Sequence, residues 1–102
     1  MSTYLFTYRA PKGYTAGSAE SIAEWRAFFA GLGGSLAERG NPVFERTTRG
    51  DCGAGTVLGG YSLVTADDLE SAATLAKACP YVAQGGGVEV GEVTFLTPDQ
   101  LA

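Results

Sequence analysis

Tyr8, Tyr61 and Glu89 each sit in an apolar, β-prone run, so strands would carry all three toward the space bordering a sheet. Arg9 and Arg46 are the cations that could join them. Tyrosine hydroxyls and a guanidinium can orient a carboxylate or phenolate, and Glu89 becomes a general base if burial raises its pKa. Asp51, on a glycine-rich loop, is a second candidate base, with Tyr8, Tyr61 or Arg46 polarising a substrate oxygen. The chemistry implied is cofactor-free proton transfer: a lyase, cyclase, isomerase or dehalogenation step. A non-catalytic alternative uses the same residues, because tyrosine and arginine are enriched at protein interfaces and Glu89 can simply pair with an arginine.

Other constellations point away from several chemistries. The chain has no histidine, the side chain best suited to proton transfer near neutral pH. Its two cysteines, Cys52 and Cys79, make neither a disulfide framework nor a zinc ligand set. Cys79 is expected to be a buried, inert thiol, and Cys52, in a glycine-rich loop, the more reactive one. The loop from Arg46 to Gly55 lacks the lysine and spacing of a phosphate-binding loop and precedes a strand, so it reads as a connection, lid or partner-binding segment. Its Arg49-Gly50-Asp51 is read as a coincidental tripeptide. Trp25 is expected in the core, with Arg26 beside it available for an ion pair or a partner.

The elements that must position these residues follow from periodicity. Thr3–Arg9 alternates as a strand and stops before Pro11. Ser18 or Ser21 can cap a helix whose Ile22, Trp25, Phe28, Phe29 and Leu32 fill an arc of roughly 120°. Ser35–Arg39 and Val43–Thr47 are short strand material broken by Gly40-Asn41-Pro42. Leu58–Val64 is a glycine-led strand, after which Thr65 with Asp67 and Asp68 would start a second helix. Leu69, Ala72, Ala73, Ala76 and Cys79 share one face of it, and Pro80 is expected to end it. Val88–Phe95 returns as an alternating strand. The order β-α-β-β-α-β predicts an α+β fold, a ferredoxin-like sandwich with two helices on one face of a four-stranded antiparallel sheet.

Five segments in this order resemble one family: Tyr4-Leu5-Phe6-Thr7-Tyr8, the helix with Trp25-Arg26 and Phe28-Phe29, Leu58-Gly59-Gly60-Tyr61, Ala78-Cys79-Pro80, and Gly87-Val88-Glu89-Val90. The chain is similar to the YCII-related (DGPF-domain) proteins over nearly its whole length, as a single domain from 1 to 102. The resemblance implies a dimeric α/β-barrel in which two ferredoxin-like sheets pack face to face. Two departures matter. Gly50–Val57 stands where the DGPF subgroup carries Asp-Gly-Pro-Phe, and Gly91-Glu92 follows Val90 where the family often continues with Arg-Pro. The His-Asp pair proposed for some members has no counterpart in a chain without histidine.

Composition sets the remaining bounds. With 102 residues, 45% hydrophobic and 18% charged, the chain is one ordinary globular domain. Seven basic residues against eleven acidic give a net charge of −4, which argues against a nucleic-acid partner. No apolar run reaches membrane-spanning length and no signal peptide opens the chain, so no membrane partner and a cytoplasmic location are expected. Tyr4, Phe6 and Tyr8 share one face of the first strand, and two helices cover only one face of such a sheet. An exposed aromatic face predicts a homodimer. Function divides into two readings. One is a dimeric protein binding a small aromatic or carboxylate molecule, without a cofactor and with or without turnover. The other is a non-catalytic dimeric module that regulates or scaffolds a protein partner.

Overall fold

A computed structural model describes residues 1–101; Ala102, the last residue of the expected domain, lies outside the described residues. Strand β1 (Ser2–Pro11) organises the rest. Its alternation puts Tyr4, Phe6, Tyr8 and Ala10 on one face, all buried, and Leu5, Thr7 and Arg9 on the other. β1 lies between β3 (Thr56–Ala66) and β4 (Gly87–Glu92), antiparallel to both, and the short β2 (Leu36–Glu38) pairs antiparallel with the outer side of β3. The result is an open four-stranded sheet of order β2-β3-β1-β4. Because neighbours run in opposite directions, β1 is parallel to β2 and β3 to β4, each pair separated by one strand. Helix α1 (Ala19–Leu32) joins the first pair and α2 (Leu69–Ala76) the second. This is the α+β element order that periodicity predicts.

Each helix starts on a side-chain cap. The Ser18 hydroxyl accepts the Ser21 N–H at 3.1 Å, and the Asp68 carboxylate accepts the Ser71 N–H at 2.7 Å. That hydrogen bond also holds the Asp68 carboxyl below the usual carboxylate range. Phe28 and Leu32 of α1 and Ala72 and Ala76 of α2 cover the face of Tyr4, Phe6 and Tyr8. Small residues on α2 let it lie close on the sheet, and Phe6, Ser62 and Val64 have essentially no exposed surface.

Several expectations change. The aromatic row of β1 is not an exposed patch; it is the core, because both helices settle on that face. The opposite face carries Leu5 paired across the strands with Leu63, and Thr7 with Tyr61 and Glu89. Val43–Thr47 forms no strand: only Pro42 bridges to Gly60, since proline has no N–H with which to extend a ladder. β3 runs on through Thr65 to Ala66, so Asp68 rather than Thr65 caps α2. Leu69 and Ala73 are exposed and Leu75 packs on the core instead. Pro80 does not end α2, which stops at Ala76; it opens the short helix α3 (Pro80–Ala83), where a missing N–H costs nothing. β4 stops at Glu92 rather than Phe95; one more backbone bond, from the Val93 N–H to the Thr3 carbonyl at 2.8 Å, follows its last pair, Tyr4 with Glu92. A final turn, α4, covers Pro98–Leu101. Cys79 is buried as expected, and burial pushes its thiol up to about 11, while Cys52 is exposed.

Phe6 belongs to the buried cluster to which both helices contribute and has no exposed surface. Phe6→Ala is expected to cost about 3–5 kcal/mol, read as a lowered urea midpoint. A loss under about 1 kcal/mol would mean that the centre of the core lies elsewhere.

Candidate functional site

At one end of the sheet the helix side does not close. A cavity of about 440 Å³ lies between the first turns of α1, the ends of β1 and β3, α3, and the segment 39–46. Its floor is bare because Gly59 and Gly60 stand where β1 and β3 slip register: Tyr8 pairs with Gly60 and Arg9 with Leu58, leaving Gly59 as an extra residue. A Cβ at Gly59 would come within 3.0 Å of the Tyr81 ring and hydroxyl. Glycine at this position therefore leaves room for Tyr81.

The walls are aromatic edges. Trp25 meets Tyr8 at 5.0 Å between ring centroids and Tyr81 at 4.8 Å, and Tyr14 meets Tyr81 at 5.0 Å, all close to perpendicular. Edge-to-face pairs of this kind each contribute about 0.5–1.5 kcal/mol beyond burial. Together they brace α1 against β1 and α3, which holds the space open.

The segment 39–46 forms the outer wall as a strap along β3. The Val43 N–H donates to the Gly59 carbonyl at 3.0 Å and the Tyr61 N–H to the Asn41 carbonyl at 3.3 Å. One Arg46 nitrogen, Nη1, donates to the carbonyls of Val43 (3.0 Å) and Leu58 (3.1 Å), locking the strap to the strand. Gly40 makes the approach possible: it has φ +74°, and any Cβ there would run into the Tyr61 carbonyl.

The four tyrosines at this cavity differ in what their hydroxyls do. Tyr8 donates to Ser62 Oγ at 2.8 Å, and Ser62 in turn donates to the Arg39 carbonyl at 2.5 Å. Tyr14 shares a hydrogen bond with Ser21, and Tyr61 accepts from Asn41 Nδ2 at 3.1 Å. Tyr81 is only 6% exposed, lines the cavity, and has no hydrogen-bond partner among the described residues. Burial pushes the Tyr8 phenol up to about 12 against the pull of Ser62. Burial, helped by Tyr14 and Cys79, takes Tyr81 to about 12 although Arg46 pulls it down.

Charge at the cavity has one sign. Arg26, Arg39 and Arg46 border it, and no aspartate, glutamate or cysteine does. Arg39 lies over the Phe29 ring at 5.3 Å. The three guanidiniums are solvent-exposed, so they avoid a burial penalty without ion-pairing to one another's neighbours.

Of the residues that the sequence pattern nominates, Tyr8 and Arg46 come together here. Tyr61 borders the cavity only at the strap, where its hydroxyl meets Asn41, because it pairs with Thr7 and its side chain leaves β3 on the far face. Glu89 also pairs with Thr7 and stays on that opposite side of the sheet, in a shallow depression with Arg9 and Cys52. Asp51 sits on the exposed loop before β3 and accepts the Gly53 N–H at 3.3 Å. Arg9 anchors that loop, donating to Thr56 Oγ1 and O (both 3.1 Å) and to the Cys52 carbonyl (2.9 Å). Sequence reasoning overlooked Tyr14 and Tyr81; Trp25, expected in the core, does pack against it but is half-buried and also lines the cavity. The Cys-Pro-Tyr run held a signal for Tyr81: proline at a first helical position puts the next residue in that helix's first turn.

The two raised phenols give a signed pH dependence. Tyr8 and Tyr81 are neutral in the fold and would ionise near pH 10 in the unfolded chain. Their stabilisation is therefore intact below pH 10 and is lost as pH climbs toward 12. Alkaline titration should show their 295-nm absorbance step coinciding with loss of circular dichroism near pH 12. Ionisation of every tyrosine near pH 10 with the fold intact would contradict this burial.

Among the described residues, no helix is long and apolar enough to cross a membrane. No curated protein and no solved structure matches the chain at a significant level. The family model of the YCII-related domain matches residues 5–96, which include all of the sheet but the first three residues of β1, and every wall of the cavity. The chain belongs to the YCII-related domain family.

Proposed function

We propose that this YCII-related domain, folded as a ferredoxin-like sandwich, binds a small flat molecule in the cavity between α1, α3 and the 39–46 strap. The observation that carries this reading is the brace of Tyr8, Trp25 and Tyr81, which keeps about 440 Å³ open instead of letting α1 collapse onto the sheet. Aromatic edges lining a preformed slot favour an aromatic ring as occupant.

Binding without turnover is the better reading of this cavity. Proton transfer at neutral pH needs a group poised to titrate there. The side chains at the cavity offer phenols raised to about 12 and guanidiniums, but no carboxylate, thiol or imidazole. A lyase or isomerase based on Glu89 or Asp51 would have to work elsewhere, on the far face or the loop.

Self-association is a separate proposal. The face opposite the helices presents the Leu5–Leu63 pair, with Leu5 37% exposed, flanked by Thr7 and Tyr61. Two such faces packed together would give the dimeric α/β-barrel. A native mass spectrum showing a dimer that dissociates in Leu5→Glu supports it; a monomer at micromolar concentration overturns it.

Trp25 is the only tryptophan, so its indole N–H gives one amide-type NMR cross-peak from within the cavity. Titration with 2-naphthoate should move that peak saturably, with a Kd of roughly tens of micromolar. A peak that never moves, or shifts linearly without saturating, would remove the ligand-site reading.

A further inference from the structure

Among the described residues, Tyr81 carries the one hydroxyl at the cavity without a protein partner: the residue is only 6% exposed, yet its oxygen is not sealed from solvent. An O–H that a fixed ring presents at a cavity is available to donate to whatever occupies it. Its position is fixed: the ring is wedged between Trp25 and Tyr14, and the hydroxyl lies over Gly59. Arg46 is held next door, because its Nη1 donates to the carbonyl of Leu58, the residue before Gly59. With Nη1 occupied by Val43 and Leu58, the Nη2 and Nε donors of Arg46 have no acceptor among the described residues. A phenol O–H and a pre-oriented guanidinium edge therefore border one cavity, with no carboxylate lining it to compete for them.

We propose that Tyr81 and Arg46 form a seat for an oxygen anion, so that the molecule bound is an aromatic carboxylate or phenolate rather than a neutral ring. This rests on the reading of the cavity as a ligand site. The ring lies among Trp25, Tyr8 and Tyr14, and the anionic oxygen accepts from the Tyr81 hydroxyl and from the free edge of Arg46. Both groups donate only; neither exchanges a proton with the ligand near neutral pH, so the seat recognises charge that the ligand already carries. Arg39, spread over Phe29, and Arg26, on the exposed side of α1, raise the local positive potential without touching the oxygen.

The test compares 2-naphthoate with its neutral isostere 2-naphthamide on the whole chain, by the Trp25 indole cross-peak and by calorimetry. The carboxylate should bind at least tenfold more tightly than the amide. Tyr81→Phe should shrink that preference to about threefold or less while leaving amide affinity within a few-fold. Arg46→Gln should weaken the carboxylate more than the amide, with the melting temperature checked because the strap loses two hydrogen bonds. Equal affinity of the two probes for the wild type would overturn the anion seat while leaving the ligand site standing. An undiminished preference in Tyr81→Phe would overturn the assignment of Tyr81. Failure of both probes to bind would sink the ligand-site reading, and this inference with it.

Discussion

The geometry at the open end of the molecule depends on one buried chain of hydrogen bonds: Tyr8 to Ser62 to the Arg39 carbonyl. Through side chains it ties three segments together, the central strand β1, its neighbour β3, and the start of the strap. The Ser62 proton goes to a carbonyl, so the Tyr8 proton must go to Ser62; the direction of the whole chain is set by its last acceptor. Breaking it would leave the buried Tyr8 phenol without its acceptor, which is a physical reason for a small polar residue with no exposed surface in an otherwise apolar core. With Tyr8 pinned, its ring becomes the fixed wall against which Trp25 and Phe28 stand edge-on.

From that wall the cavity follows almost mechanically. α1 cannot approach β1 more closely than the perpendicular rings allow, and the glycine pair at the register slip supplies no side chain to fill the gap beneath. The strap closes the outer side because Gly40 lets it turn tightly against Tyr61 and because Arg46 fastens it. An arginine used as a fastener keeps its charge and most of its donors, so structure and recognition draw on the same side chain without conflict. In a chain of net charge −4, three of seven basic residues gather at this mouth. A basic mouth on an acidic molecule favours anions at that place over the rest of the surface on average.

Periodicity made the fold legible but left its polarity open. Alternation in Thr3–Arg9 identifies two faces of β1 and cannot say which one the helices take. Only the tertiary partners decide it: Phe28, Leu32, Ala72 and Ala76 cover Tyr4, Phe6 and Tyr8, and Glu89 goes to the far side because it pairs with Thr7 instead of Tyr8. The same parity explains why a strand-borne carboxylate was a natural candidate base and yet lies across the sheet from Tyr8, on the face to which Thr7 pairs both it and Tyr61. Local signals failed where one residue type serves two purposes. Proline at 80 starts a helix where it was read as stopping one, and proline at 42 reduces a strand-like run to a single bridge. Tyr81 stayed invisible for the same reason, since its role depends on Gly59, which lies 22 positions away in sequence and against its ring in space.

The protonation states at the cavity argue for a receptor over a catalyst in a further sense. A proton-transfer site works by having two groups whose affinities for a proton nearly match at the working pH. Here burial moves the phenols of Tyr8 and Tyr81 in the opposite direction, up to about 12, and guanidiniums keep their charge throughout. The lining is consequently a set of fixed donors and fixed charges whose character does not change across the range in which the fold is stable. Any pH dependence of occupancy would then belong to the occupant: it should follow the ionisation of the ligand's own acid group, rising as that group loses its proton. On the proposed reading, such a site would select among molecules by the charge they bring to it, and its fixed donors would hold the selected one without exchanging a proton with it.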